Sequence, residues 1–344
     1  MFEKDTTDAQ TNRDGDMGSD MMRDYSKGVL VAVLVAVAAK FLSEHYGAPA
    51  MLMALLLGIA MNFLSDDPRT HAGIDFTAKS VLRIGVALLG VRISWEMLRD
   101  LGPGIVICVI AGVVLTIGFG VLLARLLGKD TEFGLLTGGS VAICGASAAM
   151  AIAAVLPARE TSERDLSFTV LGVTILSTLA MILYPMLVGL LGLDTELSGV
   201  FLGATIHDVA QVVGAGFSVS DEAGEIAVLV KLIRVSMLAP VVLLLALRGR
   251  RHVTGGEQGK VQLLPGFLIA FVIFAVLNSF GVIPPALQSA LTQLSNWALL
   301  IAIAAVGIKT SPGKSLAVGG PAIAMVVGET VFLALFTIAV VSLV

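Results

Sequence analysis

Apolar segments of about 20 residues follow one another along most of this chain, and a helix of that length spans the hydrocarbon of a bilayer. Their approximate bounds are 28–43, 48–64, 79–98, 102–127, 131–156, 166–191, 198–217, 225–247, 263–282, 294–318 and 319–344. The pattern predicts an all-α polytopic membrane protein with about 11 transmembrane helices. A transmembrane β-barrel is excluded, because its strands would alternate apolar and polar residues over about ten positions. At 56% hydrophobic and 14% charged residues, the composition also excludes a soluble domain. The net charge of −4 sums tail, loops and core, and so separates no functional classes.

Residues 1–27 are polar and read as a disordered cytoplasmic tail. That tail is acidic rather than basic, so no cleavable signal peptide is expected. The two cysteines, Cys108 and Cys144, each sit in an apolar segment and have neither disulfide nor zinc spacing. With the N-terminus inside, the tail and the loops 65–78, 125–130 and 248–262 carry most of the loop Lys and Arg. The outer loops then hold only Arg99, Arg159 and Arg164, and the acidic group Asp221, Glu222 and Glu225 also falls outside. The positive-inside rule therefore gives a cytoplasmic N-terminus and a C-terminus on the far side.

An internal repeat underlies the segment count. Segment two carries Leu57-Gly-Ile-Ala-Met-Asn62, and segment seven carries Leu202-Gly-Ala-Thr-Ile-His207. Leu82-Arg-Ile84 in segment three pairs with Ile233-Arg-Val235 in segment eight, and Pro103-Gly104 with Pro265-Gly266. Gly145 and Gly307 stand at the same distance from those prolines, and Gly172 pairs with Gly328. The division expected is an extra helix at 28–47, repeat A at 48–191 and repeat B at 192–344. Each repeat has an odd number of crossings, so the two copies insert upside down relative to each other, the plan of many secondary transporters.

Within segment five, Gly138, Gly139 and Gly145 join Ser140 and Ser147 in one apolar run. Two readings are open. Small residues allow close helix packing, or they mark a helix broken where the backbone lines a cavity. The repeat predicts a second break in segment ten, at Val306-Gly-Ile-Lys-Thr-Ser-Pro-Gly-Lys314. There Ser311 and Pro312 give an N-cap followed by a proline at the first helical position. Each second half-helix would then present unpaired N–H groups and a partial positive end to the break.

Eight Lys and Arg lie outside the loops: Lys40, Lys79, Arg83, Arg92, Lys231, Arg234, Lys309 and Lys314. Lys40 and Lys79 are near segment ends and are expected to snorkel. Arg234 is roughly 13 Å into segment eight at the helical rise, too deep for that, and Arg83 is its repeat mate. Arg234 therefore reads either as a site or gating residue or as half of a buried ion pair. Lys309 lies in the predicted break. The buried acids are Asp208 and Glu329, which could neutralise these cations; alternatively Asp208, His207 and Gln211 bind a coupling ion. Core cations outnumber core acids, and the half-helix ends are positive, so the expected substrate is an anion.

The run Gly138-Gly-Ser-Val-Ala-Ile-Cys-Gly-Ala-Ser-Ala148, with Ala204-Thr-Ile-His-Asp-Val-Ala-Gln-Val-Val-Gly-Ala-Gly216, resembles the sulfate exporter family of bacterial inner-membrane proteins. The likeness runs from about Gly28 to Val344. It implies an anion transporter of the inner membrane, for sulfate or a related sulfur oxyanion. It also implies kinship with bile-acid/sodium symporter-like folds, in which discontinuous helices cross between a core and a panel domain.

The substrate residues expected are Ser140, Cys144, Gly145, Ser147, Arg234, Gly307, Lys309, Thr310 and Ser311. Coupling or gating is expected of Arg83, His207, Asp208, Gln211 and Glu329. No cofactor, metal or nucleic acid is expected, only the bilayer, a small anion, a sodium ion or proton as coupling ion, and by analogy a homodimer. The rival readings are a sodium- or proton-coupled organic-anion symporter and an anion channel. The histidines His45, His71, His207 and His252 are scattered and form no catalytic motif, so an enzyme is not expected.

Overall fold

The computed structural model describes residues 5–46, 48–157, 159–249, 265–310 and 321–342, and their regular structure is helical. In chain order the helices are α1 (Asp5–Tyr46), α2 (Ala50–Ala60), α3 (Pro68–Phe76), α4 (Leu82–Leu89) and α5 (Trp95–Asp100). There follow α6 (Gly102–Leu126), α7 (Thr131–Ala142), α8 (Ala146–Ala153), α9 (Ser162–Leu190), α10 (Thr195–Thr205) and α11 (Val209–Val219). The remainder are α12 (Asp221–Ser236), α13 (Leu238–Gly249), α14 (Gly266–Ser279), α15 (Pro285–Lys309) and α16 (Pro321–Val341). Short 3-10 turns occupy Asn62–Ser65 and Gly90–Arg92, and a π turn occupies Thr77–Val81.

Among the described residues six helical stretches are long and apolar enough to cross a membrane: Tyr25–Tyr46, Gly102–Leu126, Ser162–Leu190, Asp221–Leu247, Pro285–Lys309 and Ala322–Val341. The other apolar segments are made of shorter pieces, and segments three, five and seven are interrupted. Helix α1 also continues through most of the polar N-terminal stretch, where the sequence predicts disorder. Nothing between Asp5 and Tyr46 is a proline, the residue that would stop such a helix. Most of the basic loop 248–262 lies outside the described residues.

Several starts follow local capping chemistry. Asp67 accepts from the Arg69 N–H ahead of Pro68 in α3, Asp194 from the Leu197 N–H in α10, and Ser220 from the Ala223 N–H in α12.

The chain divides into two compact units, one of residues 1–83 with 297–311 and one of residues 84–296 with 312–344. In the first, α1 packs on α2 and α3, and α2 crosses the end of α15 at bare backbone. A Cβ on Gly58 would stand 2.9 Å from Gly307 Cα, and one on Gly307 would stand 3.0 Å from Gly58 Cα. In the second unit, Gly120 of α6 and Gly134 of α7 let those two helices touch, with a Cβ on Gly120 only 2.7 Å from the Gly134 carbonyl. Gly199 and Gly203 do the same for α10 against Ile226 and Val230 of α12. Val141, Val173, Val326 and Leu333 form an apolar cluster joining α7, α9 and α16. Helix–helix contact through small residues is the usual solution in lipid, where burial of apolar side chains gives no drive.

Candidate functional site at the crossing of two interrupted helices

Segment five breaks where the sequence predicts. Helix α7 stops at Ala142, Ile143 and Cys144 lead out, and α8 restarts at Ala146. Gly145 between them has φ 65° and ψ −126°, a conformation that side chains disfavour. The other glycines of that run serve packing: Gly138 meets the Thr116 carbonyl of α6 at a Cβ distance of 3.1 Å. Gly145 thus marks a helix break, while Gly138 serves close packing.

A second break, which the sequence reading did not name, lies in segment seven: α10 ends at Thr205, and α11 begins at Val209. Ile206, His207 and Asp208 form the gap. Asp208 caps the second half by accepting from the Ala210 N–H at 2.8 Å, while its own N–H donates to Ser177 Oγ of α9 at 3.0 Å. A polar His-Asp pair inside an apolar run is the signal that would have located this break, since Asp is a strong N-cap. In segment ten, α15 runs through Val306 and Gly307 and ends at Lys309, inside the stretch 306–314 where the sequence places the break. Gly307 is thus helical and serves the close crossing with Gly58. Ser311, Pro312 and Lys314 lie outside the described residues.

The two breaks touch. A Cβ on Gly145 would lie 3.6 Å from His207 Cβ. Helix ends leave carbonyls without partners, and here α12 supplies them. Arg234 Nε donates to Ala142 O at 2.8 Å, one terminal nitrogen to Val141 O at 2.7 Å, and the other to Gly203 O and Ile206 O at 3.0 Å each. Lys231 Nζ donates to Ile143 O at 2.6 Å and Ile206 O at 2.9 Å. Both side chains are buried, at 1% and 0% exposure. The remaining carbonyls of the α7 end are met by backbone: Gly139 O by the Ile143 N–H and Ser140 O by the Gly145 N–H. The negative ends of two half-helices thus hold two cations, as the helix dipole favours.

This arrangement answers the question left open for Arg234. Its hydrogen bonds run to carbonyls rather than to an acid. Lys231, which the sequence marks only as a lysine outside the loops, is its equal in the site. The signal available was their spacing, since residues three apart share a helix face. Arg83, the expected repeat mate, is exposed on α4 instead. Arg92 is half-buried and forms an ion pair with Glu225, with a further hydrogen bond to Asn296 at 3.2 Å.

The other expected residues fall into three places. Around the crossing, Cys144 is buried, Ser147 is exposed, and Gln211 Oε1 accepts from Ser177 Oγ at 3.1 Å. Ser140 is buried but bonds its own helix at Leu136 O. His207 Nε2 is 3.0 Å from Thr330 Oγ1 of α16, and Glu329 Oε1 is 2.7 Å from Thr137 Oγ1 of α7. In the first unit, Lys309 forms an ion pair with Asp75, which also binds Lys79 at 2.7 Å, and Thr310 Oγ1 donates to Val306 O at 2.9 Å. Among the described residues no group of three or more His, Cys, Asp or Glu could hold a metal ion.

Residues 27–326 match the family described as Conserved hypothetical protein 698. The chain is similar to the UPF0324 membrane protein TauZ of Paracoccus pantotrophus, 64% identical over 322 residues that cover 93% of this chain and 95% of that one. It is 57% identical over 333 residues to a UPF0324 membrane protein of Rhizobium meliloti, covering 96% of each. A third such protein, of Chlorobaculum tepidum, is 52% identical over 316 residues, 91% of this chain and 88% of that one. No solved structure matches the chain. With its series of helices of membrane-spanning length and likeness to these bacterial proteins over nearly its whole length, the chain is a multi-pass membrane protein and belongs to the Conserved hypothetical protein 698 family, the UPF0324 membrane proteins.

Proposed function

We propose that this protein is a secondary transporter that carries a small anion across the bacterial inner membrane by alternating access. The observation that carries the reading is the crossing: two helices, each interrupted within an apolar segment, meet at Gly145 and His207. Interrupted backbone in a membrane needs protein or a water-filled cavity around it, and a plain helical bundle has no use for it. An anion is favoured by charge. Lys231 and Arg234 bring two positive charges to the crossing, with the single carboxylate of Asp208 in electrostatic reach of Lys231. Helix α8 also starts there, with Ala146 half-buried and Ser147 exposed, so the N–H end of that half-helix is accessible. Sulfate or another sulfur oxyanion is the substrate class that the sequence resemblance adds.

The inverted repeat draws support from a second, smaller crossing in the other unit. Helix α2 stops at Ala60 and α10 at Thr205, and the matched residues Asn62 and His207 each stand two positions beyond. Asn62 Nδ2 donates to the Ile308 carbonyl at 2.7 Å, close to the end of α15, where Gly58 and Gly307 meet. The matched Gly58 and Gly203 each stand two positions before their helix end and give close contact. In this reading the N-terminus is cytoplasmic, the C-terminus is on the far side, and the protein has no enzymatic role.

The test is counterflow in proteoliposomes with radiolabelled sulfate, sulfite, thiosulfate and small carboxylates. Saturable exchange of one of them, lost in Gly145→Leu, is the expected result. Flux that never saturates points to a channel, and no exchange of any anion overturns the proposal.

A further inference from the structure

Glu329 is fully buried in α16, about 12 Å along the helix from Pro321 at the helical rise. Counting hydrogens at its contacts favours a protonated carboxyl. Thr137 Oγ1 lies 2.7 Å from Glu329 Oε1 and 3.0 Å from the Phe133 carbonyl. A hydroxyl has one hydrogen to donate, and both of those oxygens are acceptors when the carboxyl is ionised. Both contacts are hydrogen bonds only when Glu329 carries a proton: its O–H donates to Thr137, and Thr137 donates to Phe133.

The other oxygen, Oε2, is buried without a partner among the described residues, as is Thr116 Oγ1, one helical turn from Gly120 on α6. A Cβ on Gly120 would stand 2.7 Å from Glu329 Oε1, so the bare glycine makes room for the carboxyl.

Among the described residues, the charged and titratable groups on the neighbouring elements leave Glu329 without a counter-ion. Lys231 and Arg234 on α12 are held on backbone carbonyls. His207 reaches only the next residue of α16: Thr330 donates to Val326 O at 2.7 Å, so His207 Nε2–H donates to Thr330. Cys108 of α6 lines the apolar pocket beside Leu333. Arg125 in the last turn of α6 is exposed, and Glu132 in the first turn of α7 and Asp165 in the first turn of α9 both face Arg159.

We infer that Glu329 is the proton-binding site of this protein, loaded and unloaded in each transport cycle. The inference rests on the transporter reading and names its coupling ion. The Glu329 O–H bond breaks, the proton passes to water on the side to which the site is open, and the carboxylate takes a proton back from the other side. An ionised Glu329 has no counter-ion among the described residues, so it is stable only when α7 and α16 part and admit water. Glu329 touches α7, and Thr330 beside it touches His207 in the second break, so one turn of α16 links the proton to both interrupted helices.

The test uses the full chain in liposomes and two readouts. The first is the infrared carbonyl band of a protonated carboxylic acid, recorded at neutral and alkaline pH. It should be present in the native protein at neutral pH, fade at alkaline pH, shift in Thr137→Val and vanish in Glu329→Gln, which mimics the protonated form and should fold. The second is sulfate uptake driven by a pH gradient. Glu329→Gln should lose it by tenfold or more while keeping sulfate-for-sulfate exchange. A native protein without the neutral-pH band, a band that never fades, or unchanged gradient-driven uptake in Glu329→Gln overturns the inference and leaves the transporter reading standing. Absence of all anion exchange with the band intact counts against the transporter reading alone.

Discussion

Lys231 and Arg234, three residues apart on α12, both donate to the carbonyl of Ile206, at 2.9 and 3.0 Å. Each then reaches the end of α7 as well, at Ile143 for the lysine and at Val141 and Ala142 for the arginine. One helix face therefore ties the carbonyl ends of two half-helices together. Buried cations without hydrogen-bonding partners would be costly. Here the partners are backbone carbonyls, so the pair helps to hold the fold together at the crossing.

Arg234→Leu should accordingly cost stability before it costs affinity. It strands the carbonyls of Val141, Ala142 and Gly203 in a buried site, where charge-assisted hydrogen bonds are worth about 1.5–3 kcal/mol each and do not add fully. The expected loss is about 3 kcal/mol or more, read as a lowered unfolding temperature in detergent. Arg234→Lys should recover only part of it, because an ammonium cannot span Val141, Ala142 and Gly203 together. An Arg234→Leu protein with unchanged unfolding temperature would mean that these carbonyls find other partners.

Gly145 and Gly307 should both resist substitution, for different reasons. At Gly145 the space for a Cβ is ordinary, 3.6 Å to His207, but φ is 65°, so alanine costs about 1–3 kcal/mol of backbone strain. At Gly307 the backbone is helical, and the obstacle is the Leu55 carbonyl 2.5 Å from a Cβ. Gly307→Ala should therefore separate α2 from α15, and cross-linking between cysteines placed on those two helices should drop. Gly145→Ala should leave that cross-linking unchanged while abolishing transport. Equal effects of both changes on the α2–α15 cross-link would contradict this assignment.

How much of this was legible in the sequence depended on what each residue's signal was made of. The break in segment five was legible because glycine has no good reason to sit at midplane in a lipid-facing helix. The break in segment seven leaves only the His207-Asp208 pair as its trace, and in sequence a capping aspartate looks the same as one that binds an ion. Lys309 reads in the sequence as a substrate residue, with Asp208 and Glu329 as the acids that could neutralise it; its ion-pair partner is Asp75, in the loop 65–78. Tertiary pairing of that kind leaves no periodic trace. The capping role of Lys231 and Arg234 was hidden for the same reason, since backbone carbonyls have no sequence identity.

The Asp75 cluster gives a pH dependence with a defined sign. Burial raises the Asp75 pKa, but hydrogen bonds from Lys309 and Lys79 outweigh it and hold the carboxyl below its ordinary value. A lowered folded-state pKa contributes stability that is complete above the unfolded value, about 3.9, and is lost as pH falls through the folded one. Unfolding temperature should thus drop below about pH 4, and Asp75→Asn should flatten that part of the profile. Lys309→Ala should move the same acid transition to higher pH. The pair is partly exposed, so the effect at neutral pH is small. If Lys309→Ala leaves the transition in place and instead raises the half-saturation for an anion, Lys309 belongs to a substrate site after all.

The last prediction concerns sodium. In transporters with interrupted helices, the carbonyl ends of the half-helices are where a sodium ion is held. In this protein those ends converge on Lys231 Nζ, a compact cation that already bridges Ile143 O and Ile206 O at 2.6 and 2.9 Å. A tethered ammonium occupies the place that a coupling sodium ion would take, and it cannot leave. Transport by the native protein should therefore be the same in sodium and in choline buffers at fixed pH. Lys231→Ala removes the tethered charge but keeps the carbonyls, and Arg234 still holds the two half-helices together. That variant should be less stable in choline, and sodium should raise its unfolding temperature in a concentration-dependent way, as a ligand bound only to the folded state does. Lys231→Met, which fills the volume with an apolar chain, should show no such rescue. Sodium-dependent transport by the native protein would show that the coupling ion binds elsewhere and that the crossing is not its site.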